Sequence, residues 1–261
     1  DLRGGWTLDV QTGETITADL TITATGTSSF LPLIITSSTY VPGTWGSQPI
    51  IQTATAGVAG ININSYNIIL KGLYFKCTHG TPTTGNMGIC AKTQHAATVN
   101  IQSCIFDGWY HGIDNDNAIN FGMPYVGIVD CEIKNCTHYG MSFGYISQLV
   151  SGCHIHNNVF GGVIITGLSS MSYAFSDCVF VNNTGSGIKG TGLAVSLCQC
   201  TIAGNGSSGS NGLGGVYLSG GTQTLTFTPN QYATVDNSLY SYAAIVFDEH
   251  GTNACQAGQF F

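Results

Sequence analysis

Apolar and polar residues alternate along this chain in short segments, and the segments recur. VNIQSCIF (from Val99), VGIVDCEI (from Val126), YAFSDCVF (from Tyr173) and VSLCQCTI (from Val195) share one pattern: apolar, any, apolar, two spacers, cysteine, any, apolar. QLVSGCHI, from Gln148, departs from it only at its first position. The shared cysteines are Cys104, Cys131, Cys153, Cys178 and Cys200, so the spacing by subtraction is 27, 22, 25 and 22 residues. Nine or ten residues past most of them a second alternation opens on glycine: GIDND, GMSFG, GVIIT, GIKGT. After Cys200 the same element, GVYLS, arrives later, behind SSGSNG. Period-two alternation predicts strands. A repeat of twenty-odd residues made of three short strands and no helix predicts a stacked solenoid.

Within a unit, the first apolar pair reads as one strand, Cys-x-apolar as a second and Gly-apolar-x-apolar as a third. The spacers before cysteine predict a bend. KNCT, HNNV and VNNT after it suit a second corner, because asparagine tolerates left-handed backbone. One coil cannot bury its own apolar side, whereas stacked coils share a core. The phrase INSYNIILKGLYF (Ile63–Phe75) and the coils around it resemble the right-handed parallel β-helix of the pectate-lyase-like superfamily, over roughly residues 1–220. The resemblance implies an all-β fold of three-strand coils, about 22–27 residues each by the spacings above. Residues 221–261 break the repeat and are expected to form a small irregular C-terminal segment, a cap or a subunit contact. The resemblance says little about function, since the superfamily holds lyases, hydrolases, esterases, phage tailspikes and adhesins.

Composition sharpens this picture. Charged residues are 7% of the chain, against roughly a quarter in ordinary soluble domains, so the polar surface must be Ser, Thr, Asn, Gln and Gly. That surface suits a secreted or virion protein. The net charge is -7 and Arg3 is the only arginine, which leaves no basic footprint for nucleic acid. No apolar run approaches the roughly 18 residues of a membrane-spanning helix. The repeating cysteines are expected to be reduced, buried thiols packed side by side. Asp1–Gly5 does not read as a polar cap, so an upstream segment or a neighbouring subunit is expected there.

Function then has to come from outward side chains, which the repeat identifies. In the third strand, Ile89, Ile113, Met141, Val163, Ile188 and Val216 are predicted to face inward. Cys90, Asp114, Ser142, Ile164, Lys189 and Tyr217 are predicted to face outward beside them. Asp114 and Asp116 then share a face, about 6.5–7 Å apart by strand rise, with Lys92 on the adjacent coil. Two carboxylates so spaced are compatible with glycosidic acid/base chemistry, which makes Asp114, Asp116 and Lys92 the catalytic candidates. Tyr110, His111, His138 and Tyr139 flank this face at the preceding corner. The bland alternative is a polar strand end whose Asp and Asn side chains bond along the ladder. The Asp-Asp, Gly-His-Gly and Arg-x-Lys signatures that the resemblance implies for pectinase-like hydrolases are absent; lyases and esterases are disfavoured by the lack of arginine.

A second outward face adjoins the cysteine column, where Asp107, Glu132, Lys134, His154 and His156 form a patch. His154-x-His156 could hold a metal if Glu132 joined it, but a solvated, salt-bridged patch is the expectation, and neither metal nor cofactor is predicted. Three readings follow. The first is a non-catalytic β-helical appendage, a virion fibre or extracellular fibre segment, homo-oligomeric or bound to an assembly partner and contacting surface glycans. The second is a polysaccharide-cleaving enzyme. The third is a glycan-binding module in which Trp109, Tyr110, His111, Tyr139, Tyr145, Lys189 and Tyr217 receive sugar.

Overall fold

The computed structural model describes residues 3–11, 15–17, 20–22, 31–37, 48–63, 67–91, 98–115, 125–144, 148–166, 172–191, 194–206 and 214–219, and the strand backbone of 223–227, 234–236, 245–247 and 253–256. Strands stack into three parallel sheets, of ten, nine and nine members among the described residues. A representative coil runs Thr98–Gln102 in the first sheet, Ile105–Asp107 in the second and His111–Asn115 in the third. Each interior strand of a sheet pairs with its equivalents one coil before and one coil after, and no helix occurs among the described residues. This is the stacked solenoid that the repeat predicts, in the form of the right-handed parallel β-helix that the resemblance implies.

Register makes the core. Ile101, Ile128, Val150, Phe175 and Leu197 pair in succession through the first sheet. Phe106, Ile133, Ile155, Phe180 and Ile202 do so through the second, and the predicted inward column from Ile89 to Val216 through the third. All of these side chains are buried. Each fully buried Ile or Phe contributes on the order of 1.5–3 kcal/mol relative to exposure, and the stacked columns merge into one continuous core.

The corners carry the chemistry that permits the stacking. Cys104, Cys131, Cys153, Cys178 and Cys200 are all buried in one column. They are free thiols. The Sγ of Cys104 and of Cys153 donates to the carbonyl two residues back at 3.3 Å, and burial pushes both thiols well above the usual range. Each cysteine follows a residue with left-handed backbone: Ser103, Asp130, Gly152, Asp177 and Gln199. The strand predicted to begin at cysteine begins one residue later, because cysteine itself completes the bend.

At the next corner Asn135, Asn157 and Asn182 take left-handed φ of 55, 57 and 56°, as asparagine was expected to do. The following residues turn inward as a ladder. Asn158 Nδ2 donates to Asn183 Oδ1 at 2.9 Å, and Asn183 Nδ2 donates to Asn205 Oδ1 at 2.8 Å. The same amides donate to the carbonyls of Ile133, Ile155 and Phe180.

The stack does not stop where the sequence pattern weakens. Residues 223–227 and 253–256 extend the first sheet, 234–236 the second and 245–247 the third, each in parallel register with the preceding coil. These four short strands are what the structure describes of the segment from residue 221, which was expected to be irregular or to form a cap.

Candidate functional site

The third sheet opens at a crowded corner. Consecutive glycines, among them Gly88, Gly112, Gly140, Gly162 and Gly187, bring successive coils so close that a Cβ would stand 2.5–2.9 Å from the next coil's carbonyl oxygen. At Gly112 that Cβ position faces the core beside Ile133 and Phe106, and Ile113 is also buried. Two consecutive positions thus turn inward, and the residues on either side, His111 and Asp114, come together outside them. His111 Nδ1 lies 3.5 Å from Asp114 Oδ2.

The next coil supplies the rest. His138 N–H donates to Tyr110 O at 3.1 Å and Phe160 N–H to His138 O at 2.9 Å, so Tyr110, His138 and Phe160 occupy equivalent places on three coils. Their rings form a column: Tyr110 stacks on His138 at 4.6 Å and 8°, and His138 lies 4.2 Å from Phe160. Behind the column, His111 Nε2 and His138 Nδ1 are 2.7 Å apart, and Tyr139 packs edge-on against His138. One of these two ring nitrogens donates and the other accepts. Burial first, then the charges of His111 and Lys189, push the His138 imidazolium down to about 4 from its ordinary 6.5. His138 is therefore neutral at physiological pH. Burial pushes the Tyr139 hydroxyl up to about 12.

This arrangement predicts a pH dependence. The unfolded chain binds a proton on His138 near pH 6.5 whereas the folded chain resists until about 4, so stability is fully present above 6.5 and is lost as pH falls through that window. His138→Gln is expected to flatten that part of the stability curve, measured by thermal melting between pH 7 and 4.

The structure redistributes the predicted site. Asp114 lies in the outward column as expected, paired in register with Cys90 and Ser142, yet it is only 2% exposed. It can orient His111 but is closed to direct attack on a polymer. Trp109, expected to stack on sugar, is fully buried and donates its indole N–H to Phe75 O at 3.0 Å. It stands in the same column as Cys136 and the asparagine ladder, which faces inward. Tyr139 is likewise buried, at 3% exposure. Lys189 and Tyr217 are register partners, with Nζ 5.7 Å from the ring centroid, and both are half-buried. Asp116, Lys92 and Tyr145 lie outside the described residues. Phe160 was missed, although it holds the position of Tyr110 and His138 two coils and one coil on, just ahead of the glycine-opened strand.

The second patch does come together. Glu132 is the register partner of His154, and Lys134 that of His156. Glu132 Oε1 meets His156 Nε2 at 3.0 Å and its Oε2 meets Lys134 Nζ at 3.1 Å. The His154 and His156 rings stack at 4.1 Å. Bonding to His156, then Lys134, holds the Glu132 carboxyl below its usual range, while burial lowers His154. Asp107 is engaged elsewhere: it accepts from Tyr74 Oη at 2.7 Å and from Asn135 Nδ2 at 2.8 Å.

A family model described as a right handed beta helix region matches residues 85–232, more than half of the chain. The protein therefore belongs to the right-handed β-helix family. Among solved structures it is similar to the pectate lyase Pel9A, with a TM-score of 0.56 and 13% identity over 98% of this chain and 71% of that one. It also matches tailspike protein 2 of Escherichia coli O157:H7 bacteriophage CAB120, with a TM-score of 0.46 and 11% identity over 93% of this chain and 38% of that one. A third match is a lacto-N-biosidase from Eubacterium ramulus, with a TM-score of 0.44 and 9% identity over 98% of this chain and 63% of that one. Comparison with curated proteins finds no match.

Proposed function

We propose that this chain is a β-helical module of an extracellular or virion-surface assembly that contacts glycans at the corner built by Tyr110, His111, His138 and Phe160. The observation that carries this reading is the partly exposed aromatic column backed by the buried Asp114–His111 pair. A sugar presents C–H faces and hydroxyls together. The column offers ring surface beside a neutral imidazole, and a 7% charged surface offers little to a charged partner. Assembly with further copies or partner subunits is supported by Trp6, Leu8 and Leu31, large apolar side chains exposed on the first two coils.

The test is a glycan array followed by titration calorimetry on the strongest binder. Tyr110→Ala, His138→Ala and Phe160→Ala are each expected to weaken binding about tenfold, the equivalent of roughly 1.4 kcal/mol. Absence of binding across the array, or binding indifferent to all three variants, overturns the reading.

One observation favours a second, catalytic reading. The Asp114–His111–His138 chain has the form of a base oriented by a second imidazole and a carboxylate. The acid/base role expected of Asp114 then passes to His138, with Asp114 as the orienting group. Product release from an array glycan, lost in His138→Ala while binding persists, establishes catalysis. No turnover on any bound glycan rules it out.

A further inference from the structure

The wall formed by the second sheet carries a separate cluster that the corner does not use. We infer that Glu132, His154 and His156 form a binding site for one divalent transition-metal ion of the zinc class.

The placement follows from sheet geometry. Residues two apart on a strand point to the same side, and register partners on neighbouring strands lie about 4.8 Å apart. His154 and His156 satisfy the first condition, and Glu132, opposite His154, satisfies the second. One ligand atom from each of the three lies within 4.8 Å of the others. A tetrahedral ion bonded at about 2.0–2.2 Å needs donors roughly 3.4 Å apart. His156 Nε2 and Glu132 Oε1, at 3.0 Å, are already closer than that. Small side-chain rotations close the remaining gap to His154 with no movement of the backbone.

Donor chemistry selects the ion. Two imidazoles and one carboxylate suit zinc, nickel, cobalt or copper, whereas calcium and magnesium favour all-oxygen shells. Lys134 holds the other carboxylate oxygen, Oε2. It anchors Glu132 and leaves Oε1 turned toward the imidazoles, so it acts as a positioning residue rather than occupying the site. The cluster is also bounded. The strand after it presents Val179 and Val181 at the positions of His154 and His156, and the strand before presents Ile105 at the position of Glu132. The donors thus stand at the end of a polar column, which runs back from His156 through Lys134, Asp107 and Lys76. Three protein ligands leave a fourth position for water or an incoming donor.

The experiment is equilibrium titration of the full chain, stripped with chelator, using Zn²⁺ and Ca²⁺ as separate probes. One Zn²⁺ per chain is expected, with a rise in melting temperature as the site fills and no comparable effect of Ca²⁺. His154→Ala, His156→Ala and Glu132→Gln should each weaken Zn²⁺ binding at least about tenfold. Their metal-free melts should stay close to the parent's, since all three side chains lie on the outer wall. Lys134→Met, which removes the anchor of Glu132 but none of the donors, should weaken Zn²⁺ binding less than any of these three. Absence of Zn²⁺ binding, equal binding of Ca²⁺, indifference to the histidine variants, or loss of binding in His138→Ala or Cys198→Ser, which place the ion elsewhere, each overturns the assignment.

Discussion

Gly162→Val should leave the protein unable to complete its stack. A Cβ at Gly162 would stand 2.5 Å from Gly187 O and 3.2 Å from both Ile155 Cγ2 and Phe180 Cδ1. The first of these atoms is backbone of the next coil, and the other two belong to the core column of the second sheet. Nothing there yields without separating two coils, and separation breaks their parallel ladder. Ordinary overpacking costs about 1–3 kcal/mol. A clash with backbone should reach the top of that range or beyond, enough to consume much of a typical domain's stability. Gly80, where an added Cβ meets nothing within 4 Å, supplies the control: Gly80→Val should shift stability by no more than about 0.5 kcal/mol. Urea unfolding midpoints of the two variants check the difference. Equal midpoints would show that the coils are spaced more loosely than described.

Asn183→Ala is expected to have the next largest effect. The Asn183 side chain donates to Ile155 O at 3.2 Å and to Asn205 Oδ1 at 2.8 Å, and its Oδ1 accepts from Asn158 N at 3.0 Å and Asn158 Nδ2 at 2.9 Å. Truncation orphans the Asn158 backbone N–H in a buried place and weakens the Asn158 amide, whereas Ile155 O keeps its partner in the strand ladder. One orphaned group costs about 1–3 kcal/mol, so a loss of roughly 2–3 kcal/mol follows. The adjacent Asn182 is exposed and takes left-handed φ, a conformation glycine adopts freely. Asn182→Gly should therefore change stability by less than about 0.5 kcal/mol. Denaturant unfolding of the pair separates the inward asparagine from the outward one, although the two are neighbours in sequence.

These contrasts show which parts of the fold could be read in advance. The cysteine column was legible because Cys104, Cys131, Cys153, Cys178 and Cys200 hold one offset within the repeat, and a side chain at a fixed offset meets its own equivalent in the next coil. The role of asparagine was half legible. Asn157 and Asn182 take the left-handed corner, which is a local preference, but the inward ladder of Asn158, Asn183 and Asn205 exists only once coils stack. The bend before each cysteine was foreseen without its backbone, since Ser103 and Gln199 carry no strong left-handed preference.

The corner was the hardest part to anticipate. Strict alternation places His111 and Ile113 on the same side of a strand. In the structure the core-facing Gly112 interrupts that alternation and brings His111 beside Asp114. Trp109 was expected to stack on sugar, yet its column position is that of Asn158 and Asn183, both inward. The contacts among Glu132, Lys134, His154 and His156 needed only alternation and register, whereas Asp107, placed in the same patch, is held by Tyr74 and Asn135.

If glycans meet this protein at the corner of the third sheet, histidine ring signals followed by NMR will report it as the best array oligosaccharide is titrated in. His111 and His138 should shift together and saturate with the binding isotherm, while His154 and His156 on the other wall stay still. Shifts confined to His154 and His156, or no histidine shift with an oligosaccharide that demonstrably binds, would contradict it.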